Sequence, residues 1–178
     1  KQVPFVLVGS IRDDGPLPEV YSDVYEGQNA MRECVKKSTT VICMATTKPV
    51  ADNPDIIHYI LEKAAGCDVN VLTCGSITKG LKGEELVNME ACGAVGFTDD
   101  GIPLMDEKLT KAAMEEAKRL DVPLSFHEED KAFIETPGVN QGEVSEKLGL
   151  GGAPALAEDV LVARACMPAL HTGAKANI

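Results

Sequence analysis

Phe97-Thr98-Asp99-Asp100-Gly101 and, one helix further on, Leu124-Ser125-Phe126-His127-Glu128-Glu129-Asp130 are the two stretches whose reading decides the fold. Each polar group follows directly on a short apolar run, Ala94 to Phe97 and Val122 to Phe126. Between them, Glu107 to Leu120 carries Leu109, Ala112, Ala113, Ala117 and Leu120 on one face and Glu115, Glu116, Lys118 and Arg119 on the other. Apolar runs on either side of a segment with helical period make a βαβ unit. A carboxylate and an imidazole then stand at the C-terminal ends of successive strands. In parallel α/β proteins those ends are where chemistry is assembled, because rigid strands hold the side chains while loops shape the pocket. An Asp and a His in that place point to a metal site.

The same rhythm extends outward. Phe5 to Val8 opens the chain as an apolar run, a loop rich in Asp, Gly and Pro follows (Arg12 to Pro18), and a helix is expected from about Val20 to Lys37. Val41 to Met44 reads as a buried strand. Asn53-Pro54 supplies an N-cap with proline at the first helical position, and Ile56, Ile57, Ile60, Leu61 and Ala64 share one face of the helix that follows. Val69 to Leu72 is the next strand, Ile77 to Gly83 a glycine-punctuated loop, and Glu84 to Met89 an expected short helix. A last helix runs from Ala157 to about Leu170, interrupted by Pro168, into a strand near Ala174. Strands without polar alternation, alternating with helices, belong to a parallel sheet covered on both faces. A doubly wound sheet and a barrel satisfy this pattern equally. Neither a dinucleotide-binding glycine fingerprint nor a phosphate loop is present.

Composition narrows the function classes. The 178 residues carry a net charge of −11, which repels phosphate backbones and anionic lipid over a Debye length. Nucleic acid and membrane are therefore not expected as partners. No apolar run approaches the roughly 20 residues that span a bilayer, and a cytoplasmic location is the expectation. The six cysteines form no Cys-x-x-Cys pair and are expected to be buried free thiols. His58 and His171 fall on or at the end of helices and read as structural.

Five motifs, in order, resemble the bacterial dihydroorotases: Cys43-Met44-Ala45-Thr46-Thr47-Lys48-Pro49, Ile77 to Leu86, Phe97 to Gly101, His127 to Asp130, and Asn140-Gln141-Gly142-Glu143. That family belongs to the amidohydrolase superfamily. The resemblance implies a (β/α)8 TIM barrel, here incomplete with about six of eight strands, formed by residues 1–178 as a single partial domain. It implies one or two zinc ions and a hydrolase that interconverts dihydroorotate and carbamoyl-aspartate in pyrimidine biosynthesis. Carried over position by position, Asp100 and His127 are metal ligands, with His127 at the end of the fifth strand. Arg12 matches the arginine that clamps the substrate carboxylate, for which a planar guanidinium fork is suited. Thr46 stands where the family has a substrate-binding asparagine; its hydroxyl lacks the amide's paired donor and acceptor. Glu128, Glu129 and Asp130 are expected to form a solvated acidic cluster at a helix start.

The chain departs from the family pattern in two places. The first strand of the family ends in a His-x-His pair, and here those positions read Val8-Gly9-Ser10. The histidine of the sixth strand and the aspartate of the eighth are not within the sequence. Two readings follow. One is a dihydroorotase, or a chemically related hydantoinase or allantoinase, of which this is a partial or divergent chain. The other is a metal-free, non-catalytic scaffold that pairs with another subunit, a homo-oligomer or aspartate carbamoyltransferase being the partner the resemblance implies.

Overall fold

The computed structural model describes residues 40–67 and 69–178, and the backbone of 6–9. The expected helix from Val20 to Lys37, together with Ser10 and Arg12, lies outside the described residues. Strands β1 (Val6–Gly9), β2 (Thr40–Cys43) and β3 (Asn70–Thr73) form one parallel sheet in that order, with Val8 level with Ile42 and Ile42 with Leu72. Strands β4 (Phe97–Thr98), β5 (Leu124–Ser125) and β6 (Ala176–Asn177) form a second. The two join at a seam beyond the end of β3. Val95 N donates to Thr73 O (3.1 Å), Gly75 N to Gly96 O (3.0 Å) and Thr98 N to Gly75 O (2.9 Å), and Gly75 bridges Phe97 in parallel.

Strand order thus follows chain order from β1 to β6, every neighbouring pair parallel. A doubly wound sheet reverses direction part-way across, whereas a singly wound wall adds each new strand to the same edge. No reversal occurs among the described residues. The seam depends on a missing side chain: a Cβ on Gly75 would lie 2.7 Å and 2.9 Å from two ring atoms of Phe97, itself only 1% exposed.

Local chemistry sets the helices. In α1 (Pro54–Ala64), Asn53 Oδ1 accepts from Asp55 N and Ile56 N, with proline in the first turn, satisfying amides that have no partner within the helix. The expected helix over Glu84–Met89 is displaced. Leu86 pairs antiparallel with Thr78, and α2 is instead Met89–Cys92, because Asn88 accepts from Ala91 N and starts the turn there. Helix α3 (Glu107–Leu120) is capped by Asp106 and ends at Asp121 in the left-handed region. Its buried stripe is Thr110, Ala113, Met114 and Ala117, and the expected Leu109 and Leu120 pack against the same core beside it. Thr110 can occupy it because its hydroxyl donates back to Asp106 O (2.8 Å). A short helix, α4 (Glu143–Lys147), precedes α5 (Leu156–Thr172), which runs through Pro168 without a break. Helices α3 and α5 pack against one another outside β4 to β6. The core gathers Ile77, Met89, Phe97, Leu104, Met114 and Leu124 between strands and helices.

Two expectations about burial are corrected. Cys67 and Cys166 are exposed rather than buried, while Cys92 is buried and Cys43 and Cys74 are intermediate. Glu128 is not part of a solvated cluster: it is 6% exposed. Only Asp130 acts at a helix start, accepting from Ala132 N at the head of a 3₁₀ turn (Lys131–Phe133).

Candidate functional site

The ladder between β4 and β5 pairs Phe97 with Leu124 and Thr98 with Ser125. Asp100 and His127 each come two residues after the end of these strands, on the C-terminal side of the pair. Asp99 and Asp100 then part company. Asp99 turns inward and is 3% exposed; its carboxylate accepts from Ile77 N (2.7 Å), Thr78 N (3.0 Å) and Thr78 Oγ1 (2.5 Å). Burial pushes its pKa up, opposed by the bonds from Thr78 and Ile77. Asp99 therefore ties β4 to the Ile77–Gly83 loop.

Asp100 adopts a left-handed backbone, φ 54°, a conformation Asp tolerates better than most residues. Its amide donates to Thr98 Oγ1 (3.0 Å). Thr46 Oγ1, from just beyond β2, donates to Asp100 Oδ2 at 2.8 Å. Two of the residues singled out from sequence, Thr46 and Asp100, are thus in direct contact. Their common position is the C-terminal mouth of the strands. His127 is about half exposed and places Nε2 3.6 Å from Glu129 Oε2. Arg12, the fourth candidate, lies outside the described residues.

Asp100 and His127 are an oxygen and a nitrogen donor of the kind zinc takes. Catalytic zinc ordinarily has about three protein ligands, and among the described residues no group of three or more His, Cys, Asp or Glu is arranged to hold a metal. The described residues by themselves do not complete a zinc centre. Val8 and Gly9, at positions where the resemblance to dihydroorotases would put a His-x-His pair, belong to β1.

Neighbouring groups define what else the mouth can do. Cys43, the last residue of β2, and Cys74, just beyond β3, are linked by Cys74 N donating to Cys43 O (2.8 Å). Burial raises both thiols, Cys74 to about 11, so neither is a thiolate nucleophile at neutral pH. The Asn140-Gln141-Gly142-Glu143 motif lines an open hollow of about 530 Å³ with Gly138, Val139 and Val144. It is pinned by Gln141 N to Ala153 O and Ala153 N to Val139 O, both 2.8 Å. Gly152, at φ +79°, backs the motif so closely that a Cβ would sit 2.8 Å from Gln141 backbone atoms.

Sequence reasoning missed a buried ion pair. Glu128 follows His127 directly, its side chain is 1% exposed, and its Oε2 lies 3.6 Å from Arg164 Nη2 on α5. The signal was available: Arg164 stands next to Ala165 and three residues after Leu161, both buried, and so falls on the inward stripe of α5.

The fold is shared with a solved hydantoinase. L-hydantoinase (dihydropyrimidinase) from Arthrobacter aurescens superposes with a TM-score of 0.59 over 79% of this chain and 33% of its own, at 18% identity. In sequence the chain resembles the dihydroorotases. It is 58% identical to the dihydroorotase of Clostridioides difficile over 143 residues, 54% to that of Clostridium acetobutylicum over 143 residues and 38% to that of Streptococcus pneumoniae over 159 residues. These matches take in 79%, 79% and 88% of this chain and 34%, 34% and 37% of the relatives, so the chain spans about a third of their length. A family model described as arginine dihydrolase ArgZ-like, C-terminal, Rossmann fold matches residues 1–79. Since the dihydroorotase matches cover 79% or more of the chain, the two likenesses overlap within that stretch. Arg12 lies where the Rossmann-fold model applies.

Proposed function

We propose that this chain supplies part of a dihydroorotase, a hydrolase interconverting dihydroorotate and carbamoyl-aspartate in pyrimidine biosynthesis, built on a (β/α)8 barrel of which residues 1–178 form a single partial domain. The observation that carries the reading is that Asp100 and His127 each come two residues after the C-terminal ends of the paired parallel strands β4 and β5, within a sequence 58% identical to a dihydroorotase. In this reading Asp100 and His127 are two ligands of a zinc centre whose remaining ligands lie outside the described residues. Thr46 holds Asp100 by its hydroxyl and meets the substrate at the mouth, and Arg12 pairs with the substrate carboxylate. Ring opening consumes one water across the amide C–N bond, giving a carboxylate and a ureido nitrogen. The substrate is a small anion, and a cytoplasmic protein that self-associates, or docks with aspartate carbamoyltransferase, accords with the family.

A second reading is favoured by one specific observation: Val8 and Ser10 stand where two imidazoles are expected. A metal-free scaffold would retain the fold and lose the chemistry. Zinc content and dihydroorotate turnover of a whole dihydroorotase in which this chain's residues replace their aligned counterparts separate the two. About one or two zinc ions per chain with turnover supports the hydrolase. Neither, after incubation with zinc, supports the scaffold.

A further inference from the structure

One guanidinium ties together the loops that follow the two candidate ligands. Arg164 Nη2 donates to Leu104 O at 2.5 Å and Nη1 to Met105 O at 3.4 Å; both carbonyls belong to the segment between Asp100 and α3. The same Nη2 lies 3.6 Å from Glu128 Oε2, next to His127. Neither Glu128 oxygen has a hydrogen-bond partner, although both are buried, and the guanidinium of Arg164 is the larger of the charges that offset part of the cost of burying this carboxylate. Leu104 is 1% exposed, which leaves its carbonyl little water to turn to. A planar fork can reach two carbonyls and a carboxylate at once; an ammonium on a flexible stem presents one point of charge.

We infer that Arg164, held by Glu128, is a positioning residue that fixes the Asp100 loop relative to the His127 segment. The inference rests on the dihydroorotase reading for its functional meaning, but the coupling itself is a property of the fold. The geometry makes the two segments move as one, because both are fastened to the same side chain of α5.

Hydrogen exchange followed by mass spectrometry on the whole chain tests this, comparing the parent with Arg164→Lys and Glu128→Gln. Each segment has hydrogen-bonded amides to report on it: Ile102 N to Asp99 O on one side, Glu129 N to His127 O and Asp130 N to Ala157 O on the other. In Arg164→Lys these amides are expected to exchange about tenfold faster together, a local opening rather than a global one. The Ile77 and Thr78 amides, bonded to Asp99, keep the parent rate. Glu128→Gln preserves side-chain volume and gives the same pattern more weakly. Leu161→Ala, a core truncation on the same helix, accelerates exchange along α5 without singling out that pair of segments. Unchanged exchange in either segment, or a uniform rise across the chain in both Arg164→Lys and Glu128→Gln, overturns the inference. Absence of zinc and turnover overturns the functional reading while leaving the exchange pattern to judge the coupling separately.

Discussion

Asp99 and Asp100 are neighbours of one chemical type with opposite surroundings. Asp99 satisfies two buried amides and a buried hydroxyl, so Asp99→Ala strands the Ile77 and Thr78 N–H groups and is expected to cost about 3 kcal/mol in urea unfolding, given roughly 1–3 kcal/mol per buried group left unpaired. Asp99→Asn, which still offers an oxygen to those amides, is expected to lose less. Cysteine reactivity should divide in the same environment-driven way. With iodoacetamide at pH 8, exposed Cys67 and Cys166 are expected to label first; buried Cys92, and half-buried Cys74 whose thiol is pushed up to about 11, last. Peptide mapping of the labelled protein checks the order. At this scale the sequence was legible where a residue's place follows from the strand it terminates: Asp100 and His127 each come two residues after the ends of the paired strands β4 and β5. It was opaque where burial depends on a distant partner. Nothing local distinguishes Glu128 from Glu129, and only Arg164, 36 positions away, makes the first an interior group.

Elements were read well when their ends carry their own chemistry. Asn53-Pro54 starts α1 as its side-chain oxygen dictates, and Asn53→Ala is expected to lower stability by about 1 kcal/mol, as for other N-caps, measured as a shift in urea midpoint at constant slope. The region from Glu84 to Met89 misled because its composition suits a helix, whereas Leu86 is recruited by Thr78 into an antiparallel bridge and Asn88 offers a stronger start four residues later. The face of α3 was legible from its apolar residues, since Ala113 and Ala117 are buried and Leu109 and Leu120 pack on the core; Thr110 joins them because it satisfies its own hydroxyl within the helix. The β3–β4 seam could not be anticipated from Gly75 alone, since the requirement for glycine comes from the ring of Phe97. Gly75→Ala is expected to destabilise by about 1–3 kcal/mol, the usual cost of overpacking a filled core, with fluorescence- or circular-dichroism-monitored unfolding as the measurement.

At the scale of the whole molecule, the decisive fact is that, among the described residues, six parallel strands follow one another in chain order. Apolar runs and helices alone left a barrel wall and a doubly wound sheet equivalent; the order of strands separates them, and that order is set by contacts such as Thr98 to Gly75 that no local pattern encodes. Wherever strands add to one edge, their C-terminal ends converge on one rim, which is why Thr46 and Asp100, 54 positions apart, share a hydrogen bond. Within the described residues no helix is long and apolar enough to cross a membrane.

The most direct test of the central claim, that residues 40–178 carry the Asp100 and His127 share of a dihydroorotase site, is a graft. These residues replace their aligned counterparts in the 58%-identical dihydroorotase, and dihydroorotate turnover of the zinc-loaded hybrid is measured beside hybrids bearing Asp100→Ala or His127→Ala. The account predicts a hybrid within about tenfold of its host and a loss of about a hundredfold or more in each single variant, the scale on which removing a metal-activated route acts. A hybrid that folds and binds substrate but turns over no faster than its Asp100→Ala and His127→Ala derivatives would contradict it.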